Sequence, residues 1–76
     1  MITVKLYGLL RIESGIKEKQ LEAAHMGQLL DQLAASGISK KDLSGAVILI
    51  NGKSANRKSK LTNGDTVVLM SPVAGG

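Results

Sequence analysis

Few side chains in this 76-residue chain can do chemistry. There is no cysteine, and His25 is the only histidine, so a thiolate nucleophile is excluded and a zinc site has scattered carboxylates as its only other ligands. A Ser–His–acid set would need His25 beside one of Ser14, Ser36, Ser39, Ser44, Ser54, Ser59 or Ser71, and no flanking motif marks any of them. A lone histidine is more often a surface or cap residue. The six carboxylates, Glu13, Glu18, Glu22, Asp31, Asp42 and Asp65, are dispersed among turns and polar faces, with no pair standing out for acid–base work. Asn51-Gly52-Lys53-Ser54 is similar to the end of a phosphate loop but lacks the upstream glycine and the following helix, so it reads as a hairpin.

Two features remain. Lys53, Arg57, Lys58 and Lys60 put four of the ten basic residues within eight positions of a chain with net charge +4, and Lys40 and Lys41 are candidate neighbours. This cluster is either a contact patch for phosphates or an acidic protein, or a solvated loop that keeps a small aliphatic domain soluble. Single-strand nucleic-acid binders stack bases on aromatic platforms, and Tyr7 is the one aromatic here. The other feature is the end of the chain, Ser71-Pro72-Val73-Ala74-Gly75-Gly76, which holds no side chain larger than valine and no charged side chain. Six extended residues reach roughly 20 Å, enough to thread a narrow channel. Gly75 and Gly76 lack a Cβ and pass where nothing bulkier does, while Pro72 stiffens the exit. The bland alternative is a frayed terminus.

These groups must be carried by a small scaffold. The length allows one domain and a small core, and hydrophobic residues at 43% without Phe or Trp make that core aliphatic. Ile2, Val4 and Leu6 alternate with Thr3, Lys5 and Tyr7, which predicts a strand over residues 2–7. Leu9 to Gly15 has no clean period and reads as a loop carrying Leu9, Leu10 and Ile12 towards the core. Lys17 to Ala23 favours helix by propensity but equally suits a polar edge strand. Met26, Leu29, Leu30, Leu33 and Ala34 line one helix face, with a left-handed stop at Gly37 and a weakly marked start at His25 and Gly27. Lys40 to Leu43 adds a short turn. Ala46 to Ile50 reads as a central strand covered on both faces or nearly so, Asn51-Gly52 as a type I′ hairpin turn, Asn63-Gly64-Asp65 as a second tight turn, and Thr66 to Met70 as a further buried strand. This order predicts a mixed sheet with one helix laid across it, in which Leu29, Leu30 and Leu33 meet Val4, Leu6, Val47, Leu49 and Val67.

No stretch approaches the roughly 20 apolar residues of a membrane span. The start of the chain lacks a secretory pattern, and the missing cysteine suits a reducing compartment, so the expectation is a cytoplasmic protein without a membrane role.

Taken together, Ile50-Asn51-Gly52-Lys53, Leu61-Thr62-Asn63-Gly64-Asp65-Thr66-Val67 and Ser71-Pro72-Val73-Ala74-Gly75-Gly76 resemble the small β-grasp sulfur carriers. This is the family of the molybdopterin synthase small subunit and the sulfur carrier of thiamine synthesis. Leu10-Arg11 also matches, and the likeness covers essentially the whole chain. The resemblance implies an α+β, ubiquitin-like β-grasp domain over residues 1–70, with a mixed sheet of four to five strands, one main helix and an extended tail at 71–76. It also makes Lys17 to Ala23 a strand. Members of the molybdopterin type often carry an aromatic residue at the position of Met70 and proline at that of Ser71.

The same resemblance implies that the chain is a carrier and not an enzyme, and that the carboxylate of Gly76 is its reacting group. An adenylating partner of the ubiquitin-activating type would use ATP to make an acyl-adenylate, and a persulfide donor would convert it to a thiocarboxylate. A sulfur-accepting enzyme such as the molybdopterin synthase large subunit would receive the sulfur. No cofactor would be bound on the chain itself. Partner contacts would fall on Met70, Pro72, Val73, Ala74 and Gly75, with Lys53, Arg57 and Lys58 as a further partner surface. Molybdopterin synthesis is the expected pathway. Thiamine or another sulfur pathway, conjugation to proteins through Gly76, and a basic nucleic-acid-binding module are the alternatives.

Overall fold

Each strand of the sheet is set by a short apolar run, and the phase of each run decides which side chains reach the core. A computed structural model describes residues 1–71 of the chain, and Pro72 to Gly76 lie outside the described residues. The elements are β1 (Ile2–Tyr7), α1 (Leu9–Ser14), β2 (Glu18–Leu21), α2 (Met26–Ala35), α3 (Lys40–Ser44), β3 (Val47–Ile50), β4 (Lys53–Ser54) and β5 (Thr66–Met70). They form a five-stranded mixed sheet in the order β2-β1-β5-β3-β4. The two central strands, β1 and β5, run parallel with Thr3 opposite Thr66 and Tyr7 opposite Met70, and every other pairing is antiparallel.

Helix α2 covers one face of this sheet. Its Met26, Leu29, Leu30 and Leu33 are buried together with Ile2, Val4 and Leu6 of β1 and Val67 and Leu69 of β5. Burying each such side chain contributes roughly 2 kcal/mol, so this contact is the main source of stability in a core without aromatic rings. The helix ends in a Schellman motif: the N–H of Gly37, at φ 103°, donates to the Ala34 carbonyl, and the N–H of Ile38 donates to that of Leu33. At its other end His25 is an effective cap, with Nδ1 accepting from the Gln28 N–H at 3.2 Å while Gln28 Oε1 accepts from the Ala24 N–H at 2.7 Å. The pair does the work of a capping box with histidine in the usual Ser/Thr place.

Three expectations from the sequence are corrected. Residues 9–14 form helix α1 and not a loop, and within it Leu10 is buried while Ile12 is 76% exposed. Six residues are too few to reveal a helical period, and the helix is held by contacts distant in sequence. Secondly, β3 is covered on one face only. Ile48 is buried, with Ala46 and Ile50 packed against the core, whereas Val47 is 49% exposed and Leu49 is half-buried on the other face. An unbroken apolar run carries no phase of its own. The phase comes from β5, since Ile48 lies opposite Leu69 and Ile50 opposite Val67. Thirdly, β5 likewise alternates, burying Val67 and Leu69 while Met70 stays exposed.

Lys40–Ser44, read as a short turn, forms helix α3. Glu18–Leu21, which residue patterns leave open between helix and strand, is the edge strand that the family resemblance implies, because β1 offers an antiparallel partner with Ile2 opposite Leu21 and Lys5 opposite Glu18. Its charged residues also blunt that edge. Asn51 at φ 51° and Gly52 at φ 83° make the type I′ turn, bringing Ile50 opposite Lys53. No helix among the described residues is long and apolar enough to cross a membrane.

Candidate functional site

The last strand, β5, lies at the centre of the sheet. Strand β5 ends at Met70, which is 41% exposed on the face opposite α2, between Tyr7 of β1 and Val47 of β3. Val68 and Leu49 form a second cross-strand pair on the same face. The result is an apolar patch on the uncovered side of the sheet, at the Met70 end of β5. Exposed apolar groups gathered in this way suit contact with another protein.

The next residue, Ser71, is the only buried polar residue among those described, at 3% exposure. Its Oγ accepts from the Leu10 N–H at 3.2 Å, and its own N–H continues the β1 ladder towards the Tyr7 carbonyl at 3.5 Å. Gly8, at φ 67°, makes room for it: a Cβ on Gly8 would lie 2.6 Å from the Ser71 carbonyl oxygen and 2.9 Å from its Oγ. Sequence reasoning missed both roles. A glycine after a strand suits any break in it, and a serine between a strand and a proline carries no signal of burial.

The basic residues lie elsewhere. Lys53 follows the hairpin turn next to the start of β5, at the opposite end of the sheet from Met70. Arg57 is tied to the helix side: its carbonyl accepts from the Gly27 N–H at 2.9 Å, and its guanidinium meets Asp31 Oδ1 at 3.4 Å. Lys60 bridges to His25, and Arg57 shares with Lys40, Leu30 and Leu43 a crevice of about 300 Å³ between α2 and α3. Lys53 and Arg57 are therefore not beside Met70. Pro72, Val73, Ala74, Gly75 and Gly76 lie outside the described residues.

Two carboxylates that look dispersed in the sequence do meet. Glu13 of α1 and Asp42 of α3 line a cleft of about 100 Å³ with Leu10, Ser14 and Ser39. A hydrogen bond shared with Asp42, reinforced by the repulsion between the two charges, raises the Glu13 carboxyl above its usual range. No signal in the sequence foretold the meeting, since it depends on how α1 and α3 pack. Among the described residues no group of three His, Cys, Asp or Glu is placed to hold a metal ion.

A five-stranded mixed sheet closed over one helix, with its last strand central and leading into a segment of small residues, defines a ubiquitin-like β-grasp protein. The sequence pattern of the ThiS family matches residues 4–76, and the chain belongs to that family of small sulfur carriers. No curated protein matches the sequence. Among solved structures the chain is similar to SAMP1 from Haloferax volcanii, with a TM-score of 0.85 and 23% identity over 99% of this chain and 98% of that one. It is also similar to a chain in the complex of subunits 1 and 2 of the molybdopterin-converting factor from Helicobacter pylori, with a TM-score of 0.75 and 24% identity over 99% and 97% of the two chains. Urm1 from Trypanosoma brucei matches with a TM-score of 0.67 and 25% identity over 99% and 94%.

Proposed function

We propose that this protein is a sulfur carrier whose Gly76 carboxylate is the reacting group. A carboxylate is a poor electrophile, so an adenylating partner of the ubiquitin-activating type first joins it to the α-phosphate of ATP, with release of pyrophosphate. A persulfide on a donor protein then attacks the acyl carbon and expels AMP. Cleavage of the resulting S–S bond by a thiol of the donor system leaves a thiocarboxylate on Gly76 and a disulfide on the donor. The chain supplies no catalytic group to these steps and holds no cofactor of its own. Its part is to dock through the Tyr7, Met70 and Val47 patch and to present the segment from Pro72 to Gly76.

The observation that carries this reading is the family match extending to residue 76. We place the recipient in molybdopterin synthesis, with a partner of the large-subunit type. The likeness to a chain seen with its companion subunit in the Helicobacter pylori complex supports that choice, and thiamine synthesis is the alternative within the same chemistry. Incubation with an activating enzyme, ATP and a persulfide donor is expected to raise the intact mass by the difference of sulfur for oxygen. Deletion of Gly76 is expected to abolish the change. An unchanged mass with activating partners shown to be competent on another carrier disposes of the proposal.

The similarity to a structure described as small archaeal modifier protein 1 favours a second use of the same adenylate, in which a lysine amine intercepts it to form an isopeptide bond. Digestion of cell extracts would then yield Gly-Gly remnants on target lysines. Their absence, in cells where the carrier is expressed and activated, removes this second use.

A further inference from the structure

Helix α1 begins without a cap of its own. Residue 8, at the N-cap position, is glycine and offers no side-chain acceptor to the first turn. The acceptor comes instead from Ser71, whose Oγ takes the Leu10 N–H at 3.2 Å. That is the bond an N-cap side chain would ordinarily make to the second helical residue. A side chain on Gly8 would collide with Ser71, so the two positions are complementary: the helix gives up its local cap to make room for one supplied by the residue at the threshold of the carboxy-terminal segment. Ser71 is thereby held on two sides, by β1 through the Tyr7 carbonyl and by α1 through Leu10.

We infer that Ser71 is a positioning residue: it fixes the point and the direction from which residues 72–76 leave the domain. The inference rests on the sulfur-carrier reading for its consequence in activation, though not for its geometry. Five residues reach at most about 17 Å from their anchor. The reacting carbon of Gly76 therefore lies within that reach of Ser71, and a partner docked on the neighbouring Tyr7–Met70–Val47 patch must keep its reaction centre inside the same radius. Loosening the anchor shifts the origin of that reach and lowers the fraction of docked chains in a reactive pose. The docking patch itself is untouched. The expected signature is a fall in kcat with little change in KM.

The test compares wild type with Ser71→Ala and with Ser71→Thr, which keeps the hydroxyl. Ala keeps the backbone N–H to Tyr7 and removes only the hydroxyl, and circular dichroism verifies that each variant is folded. Because the chain has no cysteine, spin labels attach cleanly to Ile12→Cys, whose site is 76% exposed, and to Ala74→Cys. Ser71→Ala is expected to at least double the width of the label-to-label distance distribution, and Ser71→Thr to keep it. In steady-state adenylation with unlabelled protein, Ser71→Ala is expected to lower kcat about tenfold with KM within twofold. An unchanged width in folded Ser71→Ala overturns the anchor, and an unchanged kcat overturns its role in activation. If the wild type itself is never adenylated by a competent enzyme, the sulfur-carrier reading falls, and the distance widths alone decide the anchor.

Discussion

Asn51 and Asp65 lock the two tight turns at one end of the sheet to each other. Asn51 Nδ2 donates to Asp65 Oδ1 at 2.9 Å, and Asn51 Oδ1 accepts from the Thr66 N–H at 2.9 Å. Asp65 Oδ2 in turn accepts from the Thr62 N–H at 2.8 Å, so one carboxylate closes its own turn and reaches across to the hairpin turn.

This arrangement makes stability depend on acid in a defined direction. The bond from the Thr62 backbone, then that from Asn51, lowers the Asp65 carboxyl below its ordinary value of 3.8. A group depressed in the folded state contributes stability that is complete above its unfolded pKa and is lost as pH falls through the folded one. The urea midpoint is expected to show no pH dependence from Asp65 between neutrality and about pH 4, where its contribution is complete, and to fall below that. Asp65→Asn is expected to flatten part of the acid limb. An identical pH profile for wild type and variant would contradict the assignment.

Glycines 8 and 15 both sit at positive φ, but only one is crowded. Gly15, at φ 73°, has no atom within 4 Å of a built Cβ, so Gly15→Ala meets only the left-handed backbone penalty of about 1 kcal/mol. Gly8→Ala adds the collision with Ser71 and is expected to cost more than about 2 kcal/mol. Urea denaturation of the two variants side by side measures the difference, and equal costs would mean that Ser71 moves aside freely.

The phase of β3 is open to a similar comparison. Ile48→Ala empties a buried site and is expected to destabilise by about 2–4 kcal/mol, whereas Val47→Ala, on the uncovered face, is expected to cost under about 1 kcal/mol. At roughly 5 °C per kcal/mol for a domain of this size, the melting temperatures should separate clearly. A larger loss at Val47 would mean that β3 turns its other face to the core.

Met70 lies on the uncovered face of the sheet while Arg57 is tied to α2, and the two should behave differently towards an activating partner. Met70→Glu is expected to weaken docking at least tenfold while leaving the melting temperature nearly unchanged. Reversing charge at both Arg57 and Lys58 is expected to leave activation intact. Its effect on stability is also small, because the Arg57–Asp31 pair is exposed and contributes less than about 1 kcal/mol. Loss of activation by the charge reversal alone would move the docking surface to the helix side.

Much of the scaffold was legible because its signals are local. The alternation from Ile2 to Tyr7, the spacing of Met26, Leu29, Leu30 and Leu33, and the Asn51-Gly52 pair each carry their physical cause within a few residues. What was illegible depends on partners distant in the chain. Leu9 to Ser14 becomes helical with an acceptor supplied by Ser71, Ile48 faces inward because Leu69 lies opposite, and Glu13 meets Asp42 through helix packing. Of the candidate site, Met70 is exposed at the end of β5, whereas Lys53 follows the hairpin turn and Arg57 is tied to the helix side, since charge clustering along a sequence says nothing of the face on which each residue emerges.

The parallel pairing of β1 with β5 also bears on how the protein is made. Thr3 finds its central-strand partner only at Thr66, so the sheet cannot close until nearly the whole chain exists. Folding is then limited by a long loop closure and not by local nucleation. A prematurely ended chain lacks its middle strand, remains unfolded and is exposed to proteolysis. Completion of the fold therefore waits on the synthesis of β5 through Met70.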